Sequence, residues 1–391
     1  MRPAVLVSHR NVTFLPLAVL LLAAPGRAEV PDDGWVVFAS NREDSRHEIY
    51  RMKADGSEVT RLTFQGGKVP AFSPDGAWVL YHLPAEGAIH VMRPDGGGDR
   101  KICSGSTVSD GVPAFWLRDR NELVCAVPAG GDVEYYLADP LTDELVLLFR
   151  KNDFTHLQTT RFEPGGITPD GRFLVGWAFG LYSGGYTGDN GTFDAPHSTV
   201  VLDLQDQEKI YYFGPGCLSS IAPEGGLIYH VTRDSPTVPD MARMHIDDLM
   251  TRSSYQIELA LPDAEWGHMY MPAVSNDNSW LAYAASQGCH DWYTCDYDIF
   301  LHRLGAGTTE RTRLTQHPAN DNFPSIFIGE LPDIPADAGV DAGIENDDPG
   351  SCGCAGNGDR VGFKVLCLLL FLPLVTRPGR LRNPGVSGGR S

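Results

Sequence analysis

The chain has 391 residues, of which 50 are Asp or Glu and 31 are Lys or Arg, so its formal net charge is −19 at pH 7. An acidic surface repels phosphate backbones, and nucleic acid is therefore excluded as an expected partner. The length is sufficient for one large domain with a sizeable buried core.

Residues 1–28 have the features of a secretory signal peptide. Two arginines precede an apolar stretch at 15–24, and Gly26 and Ala28 are small residues at the −3 and −1 positions of a cut after Ala28. A retained transmembrane anchor is the weaker alternative, because about ten apolar residues cannot span ~30 Å of hydrocarbon. We therefore expect export, with Ala28 as the last residue of the leader.

One pattern recurs six times between Trp35 and Phe327. Its clearest copy has an apolar strand at 35–41, a second strand at 47–52 that leads to an Asp-Gly turn, a short third strand, and a fourth strand that ends in Pro-Asp-Gly at 74–76. Self-similarity at a period of about 40–55 residues with this content is typical of a β-propeller, in which each copy forms one four-stranded sheet.

The two ends of the repeat predict how the ring closes. The chain enters the pattern at a second strand and leaves it on a lone first strand, Phe323–Phe327. That strand can complete the N-terminal blade and remove a free sheet edge. We predict an all-β fold over residues 29–330: a six-bladed β-propeller of four-stranded antiparallel blades, closed by the C-terminal strand joining the N-terminal blade.

The repeat resembles that of the TolB-like propellers. The matching phrases are Ile49-Tyr-Arg-Met52 with Asp55-Gly56, Arg61-Leu-Thr63, Phe72-Ser-Pro-Asp-Gly76 and residues 313–324. The resemblance covers roughly residues 34–328 and implies the fold, whereas the same repeat occurs in binding scaffolds, peptidase gating domains and some lyases. Few residues separate the leader from the first blade, so we do not expect the α/β domain that precedes the propeller in TolB.

Five cysteines lie within the predicted propeller. Cys289 and Cys295 bracket a six-residue step in one loop, where an oxidising compartment favours a disulfide. Cys103 and Cys125 lie at adjoining strand positions and can also pair, which would leave Cys217 as a buried thiol. None of the five has the paired short spacing of a zinc site.

Long connections alternate with tight Asp-Gly turns along the repeat. The long connections all emerge on one face, because successive strands run in opposite directions. They span residues 179–197, 232–240, 260–270 and 286–297. We call this the long-loop face, and the opposite side the turn face. Binding residues concentrate on variable loops held by a rigid scaffold, so the long-loop face is the predicted functional face.

Two connections on the long-loop face carry the predicted ligand-binding residues. These are Glu265, Trp266, His268, Tyr270, His290, Asp291 and Trp292. Aromatic rings stack on sugars or peptide side chains, while imidazole and carboxylate groups bind Ca²⁺ or a transition metal such as Mn²⁺. For any single residue an ordinary role at a strand end is the alternative, and for Asp296 and Asp298 we expect that role.

No catalytic residues are predicted. The sequence has no Gly-x-Ser-x-Gly, no His-Glu-x-x-His and no phosphate-binding glycine loop. An alternative is a metal-dependent polysaccharide lyase resembling oligogalacturonate lyase, in which His268, His290 and His317 would be the candidate ligands. Apart from Ca²⁺ or a transition metal, no cofactor is expected.

The C-terminal region predicts a tether. Residues 331–350 form an acidic tract typical of a flexible stalk, and residues 351–391 hold a Cys-Gly-Cys motif, a short apolar segment and a basic tail. This order resembles a MYXO-CTERM-type sorting signal, which implies that Cys352 and Cys354 are processed and anchored. A retained membrane anchor is the alternative, and arginines after the apolar segment fit it too.

Together these features predict an exported propeller at the cell surface, the outer membrane or in the periplasm, attached to the membrane through its C-terminal segment. We expect a monomer that binds an envelope protein or a glycan without catalysis. The alternatives are the metal-dependent lyase and a structural spacer of the envelope.

Overall fold

The structure is a computed structural model that describes residues 30–43, 45–104, 106, 114–155, 157, 159, 161–179, 186–188, 191–193, 197–213, 216–233, 242–251, 254–256, 268–287, 294–305 and 311–332. The chain divides into two units, residues 1–342 and 343–391, and all described residues belong to the first. The predicted leader, the stalk and the C-terminal segment, including Ala28, Cys352 and Cys354, lie outside the described residues.

The first unit is a ring of six four-stranded antiparallel blades, as predicted, and one parallel contact between Ala242 and His268 joins the fifth and sixth blades into a sheet of eight strands. In each blade the four strands are ordered from the innermost to the outermost. The first three blades contain β26 (Asp321–Ile328), β1 (Gly34–Ser40), β2 (Glu48–Lys53) and β3 (Thr60–Arg61); β4 (Lys68–Phe72), β5 (Val79–Leu83), β6 (Ala88–Met92) and β7 (Arg100–Ile102); β8 (Ala114–Trp116), β9 (Leu123–Ala129), β10 (Asp132–Ala138) and β11 (Leu145–Arg150).

The last three blades follow the same order. They contain β12 (Arg161–Ile167), β13 (Phe173–Phe179), β16 (His197–Asp203) and β17 (Ile210–Tyr212); β18 (Cys217–Ile221), β19 (Leu227–Arg233), β20 (Ala242–Asp248) and β21 (Ser254–Gln256); β22 (His268–Val274), β23 (Trp280–Ser286), β24 (Tyr297–Arg303) and β25 (Arg311–Arg313). A hairpin of β14 (Tyr186–Gly188) and β15 (Gly191–Phe193) is inserted between β13 and β16. Within the described ranges no helix is long and apolar enough to cross a membrane.

The Pro-Asp-Gly turn that marks the repeat is a local hydrogen-bonded unit. Asp75 accepts hydrogen bonds from the Ser73 hydroxyl (2.7 Å) and from the Ala77 N–H (3.0 Å), and the Gly76 N–H donates to the Ser73 carbonyl (2.9 Å). Gly76 has φ +71°, a conformation that glycine adopts without steric cost. The turn therefore sets the register between the first and second strands of a blade.

The predicted closure of the ring is confirmed. β26 pairs antiparallel with β1, from Gly34 opposite Ile328 to Ser40 opposite Asp321. At the end of this pairing Arg42 donates hydrogen bonds of 3.0 and 2.9 Å to the two oxygens of Asp321, which is 0% exposed. The two ends of the propeller are thus joined by a strand pair and by a buried ion pair.

One disulfide joins the second and third blades. Cys103 follows β7 and bonds to Cys125 of β9, with a Cα–Cα distance of 6.5 Å, so the pairing expected as an option from the sequence is formed. Cys295 is buried and disulfide-bonded. Cys289 lies outside the described residues, and the Cys289–Cys295 pairing stays a prediction.

Candidate functional site

The strand order fixes which connections share a face. Each innermost strand runs from the long-loop face to the turn face, where the tight first-to-second turn follows it. The connections β13–β16, β19–β20, β21–β22 and β23–β24 then all return on the long-loop face. The innermost strands enclose a channel at the centre of the ring, and this channel opens on both the long-loop face and the turn face.

The innermost strands carry a repeated β-bulge. Four apolar residues at equivalent positions have left-handed backbones: Val69 (φ 52°), Leu218 (53°), Met271 (59°) and Phe323 (49°). In β4, for example, Lys68 pairs with His82 but Ala71 pairs with Leu80, so the ladder skips a residue at this point. Such conformations are uncommon for branched or bulky residues, and bulges of this kind redirect side chains next to functional sites.

The bulges line a cavity of about 130 Å³ in the channel. All six innermost strands or their ends contribute to it, and the lining is mainly apolar, with Phe72, Phe115, Trp116, Trp177 and the four bulge residues. The polar side chains of the lining are those of Arg118, Ser219, Ser220 and Ser325. Among the described residues that line the cavity there is no carboxylate, imidazole or thiol.

Arg118 is the one charged side chain among the described lining residues. It follows β8 at the turn-face end of the channel, where other copies of the repeat have a proline such as Pro74. Its Nη2 donates a hydrogen bond of 3.3 Å to Ser220 Oγ, so the side chain reaches from the third blade to the fifth. Removal from water lowers the pKa of Arg118 to about 10, and no described carboxylate offsets that effect. The guanidinium is still cationic at neutral pH.

Behind the cavity wall lies a group of buried polar side chains in the fourth and fifth blades. Ser219 Oγ is 2.9 Å from Thr199 Oγ1, and His230 Nε2 is 2.7 Å from Asp247 Oδ2. A Cβ atom on Gly216 would collide with both His230 Nδ1 and Thr199 Oγ1. The glycine therefore permits the close approach of these groups, and the sequence alone gave no sign of the cluster.

The structure describes two of the seven predicted ligand-binding residues. His268 is the first residue of β22 and is buried, and the buried ring of Tyr270 packs edge-on against Tyr297 with 6.2 Å between centroids. Neither side chain lines the described cavity. The other five lie outside the described residues; they are Glu265, Trp266, His290, Asp291 and Trp292.

Asp298 has the structural role that the repeat predicts for it. It is fully buried and bonds to Arg313 and to Thr315 Oγ1 (3.1 Å), while Thr315 Oγ1 accepts the Ile299 N–H (2.9 Å). Burial raises the pKa of Asp298 to about 6, and the bonds to Arg313 and Thr315 offset this only in part.

His317, the third candidate metal ligand beside His268 and His290, is exposed. Across the described parts of the chain no three His, Cys, Asp or Glu side chains are grouped closely enough to hold a metal ion.

Comparison with known proteins supports the fold. No protein-family model and no curated protein matches the chain. TolB from Acinetobacter baumannii superposes with a TM-score of 0.55 at 16% identity, over 76% of this chain and 68% of that one. A second TolB structure, from Agrobacterium tumefaciens, gives 0.49 at 11% identity over 76% and 98% of the two chains. Oligogalacturonate lyase from Vibrio parahaemolyticus gives 0.42 at 13% identity over 72% and 74%. At such identities the likeness to TolB shows a shared propeller fold and leaves the activity open.

Proposed function

We propose that this protein is an exported, envelope-associated β-propeller that binds a protein or a glycan through its long-loop face and does not catalyse a reaction. The observation that carries the proposal is the arrangement of the ring: the long connections share one face, and the innermost strands form an apolar cavity at the centre. A rigid scaffold with variable loops around a concave, mainly apolar site is the usual design of a binding surface.

Arg118 lies at the turn-face end of the channel, so a ligand held by the long-loop face would reach it with a group that extends through the channel. The chemistry of the cavity indicates what that group is. Arg118 is a partly dehydrated cation whose only hydrogen bond among the described residues is the long one to Ser220. A carboxylate or another anionic group would supply the charge-assisted hydrogen bonds that the guanidinium lacks. The aromatic and aliphatic lining would pack against an apolar part of the same ligand. The described lining offers no general acid or base of the usual kinds, which favours binding over catalysis.

The envelope location is supported by sequence features alone. The leader predicted to end at Ala28 would direct export, and the segment that contains Cys352 and Cys354 would tether the propeller through the stalk. Residues 331–350 would act as a flexible stalk between the propeller and its point of attachment.

An array of glycans and peptides probed with the full exported chain tests the proposal. We expect selective binding that is lost in Trp266→Ala, since this aromatic side chain lies in a predicted binding loop, and that is retained in Trp78→Ala. Trp78 is the matched control because it follows the turn at Ser73–Ala77 on the turn face. Binding that both variants retain equally would contradict a role for the long-loop face.

The two other interpretations predict different results from the same preparation. A lyase would contain a stoichiometric transition metal that is lost in His268→Ala, and would release unsaturated sugar that absorbs in the ultraviolet. A structural spacer would bind nothing selectively on the array. Either result would overturn the proposal.

A further inference from the structure

The outermost strand of the third blade differs from the outermost strands of the other five. β11 has six residues, whereas β3 has two, β7 and β17 have three each, and the described parts of β21 and β25 have three each. Very short or charged edge strands are the common protection against unwanted strand pairing, and β3, β7 and β25 contain arginine as well. β11, with the sequence Leu-Val-Leu-Leu-Phe-Arg, has neither form of protection over most of its length.

The exposed side of β11 is apolar. Val146, Leu147 and Leu148 are 55%, 38% and 39% exposed, and they are three of the seven exposed large apolar side chains among the described residues. A β-bulge accounts for three such residues in a row: Tyr135 pairs with Phe149 and Tyr136 with Leu147, so the ladder with β10 skips Leu148. Water-exposed apolar side chains on a free sheet edge are typical of an interaction surface.

Charges flank this apolar edge in a self-complementary order. Asp143 and Glu144 precede β11, and Arg150 and Lys151 follow its last apolar residue. If two copies of the strand pair antiparallel about Leu147, Glu144 lies opposite Arg150 and Asp143 lies opposite Lys151 of the other copy. A parallel in-register pairing would instead place like charges opposite each other, which destabilises a sheet.

The charged side chains at the two ends of β11 are available for ion pairs with a second copy of the strand. Arg150 uses Nε to bond Glu134 (2.8 Å), and its terminal nitrogens have no hydrogen bond within the described residues. Glu144 is exposed, and among the described residues neither it nor Lys151 has an ion pair. Asp143 already accepts a hydrogen bond from the Cys103 N–H (2.7 Å). The charges open to a second chain are therefore those of Glu144, Arg150 and Lys151.

We propose that β11 pairs antiparallel with β11 of a second copy of this chain, across a two-fold axis at Leu147. The pairing joins two third blades into one continuous sheet of eight strands and covers Val146, Leu147 and Leu148. It is isologous, so a closed dimer forms rather than a fibre. The sequence alone favours a monomer; the length, exposure and charge order of β11 favour the dimer.

Sedimentation velocity of the full chain over a range of concentrations tests this inference. We expect a dimer for the wild type and a dissociation constant at least ~100-fold weaker for Leu147→Lys, which places two ammonium groups at the two-fold axis. Val59→Lys is the matched control, because Val59 is also exposed (42%) but lies before β3. Far-UV circular dichroism of both variants shows whether they fold.

A cross-linking variant tests the register directly. Leu147→Cys places two thiols opposite each other at the axis, so oxidation should link two chains, whereas Val59→Cys should not link. A wild type that is monomeric at every concentration would overturn the proposal. So would a dimer that survives Leu147→Lys and does not cross-link through Leu147→Cys, or a monomer whose β11 binds a different protein.

Discussion

Replacing Asp298 by asparagine should remove a specific pH dependence of stability. Asp298 is fully buried near the start of β24, and burial raises the pKa of its carboxyl from an ordinary 3.8 to about 6. The folded protein then keeps a proton where the unfolded chain has lost it. The stability that this proton confers is complete below pH 4 and is lost as the pH rises through about 6.

The size of the effect follows from the two pKa values. A shift of one unit corresponds to 1.36 kcal/mol, so a rise from 3.8 to about 6 amounts to about 3 kcal/mol, of which the larger part is lost between pH 4 and 7. The free energy of unfolding of the wild type minus that of Asp298→Asn should therefore fall by about 2 kcal/mol across this range. The other titrating groups are the same in both proteins, so their contributions to the free energy of unfolding cancel in this difference.

Urea denaturation at several pH values, followed by tryptophan fluorescence, measures this difference. Asp277→Asn is a control of opposite sign. Burial acts to raise the pKa of Asp277, but hydrogen bonds from Ser275 and Ser279 together lower it. For that variant the difference should rise with pH. If the Asp298 difference is constant or rises with pH, the bond to Arg313 dominates over burial and the reasoning is refuted.

Three further predictions concern the closure and packing of the ring. Asp321→Ala leaves Arg42 without its buried partner and should cost about 3–5 kcal/mol in urea unfolding, whereas Asp206→Ala, which breaks the exposed pair with Lys209, should cost less than about 1 kcal/mol. Cys103→Ser opens a loop of sequence separation 22 and should cost about 3 kcal/mol in the oxidised protein and nothing under reducing conditions. Gly165→Ala places a methyl group against the Ser219 carbonyl of the neighbouring innermost strand, β18, and should lower the melting temperature by several degrees. An unchanged melting temperature would mean that the channel wall is less closely packed than described.

The fold could be predicted because its determinants are local and repeated. Turns such as Ser73–Ala77 are closed by hydrogen bonds between near neighbours, so every copy of the motif shows where a first strand ends. The lone strand that became β26 predicted the closure for a topological reason, since an unpaired edge needs a partner. Adjoining strand positions in the repeat allowed a Cys103–Cys125 pair as one option, and the structure contains it.

The cavity could not be predicted, because it depends on how six distant strands meet. Val69 and Met271 adopt left-handed backbones without being glycine. A proline follows each of them, but Leu218 has the same backbone without one, so the proline does not identify the bulge. Arg118 lies in a copy of the Pro-Asp-Gly turn that has lost the motif. The only sign of it in the sequence is that Arg118 stands where other copies have a proline. The exposure of the apolar segment Leu145–Phe149 also could not be predicted, because it arises from the place of this segment at the edge of the third blade and from the bulge at Leu148.

The central claim is that a ligand held by the long-loop face places an anionic group in the channel and is not chemically altered, and one pair of variants tests it most directly. The dissociation constant of the best array ligand would be measured for wild type, Arg118→Leu and Arg120→Leu by titration calorimetry, with the ligand recovered and analysed afterwards. Arg120 lies two residues away, is 52% exposed and is paired with Glu122, so its loss changes the net charge equally. We predict an intact ligand and binding about 10- to 100-fold weaker in Arg118→Leu alone, as expected for a lost charged hydrogen bond. Equal affinities in all three proteins, or a chemically altered ligand, would contradict the account.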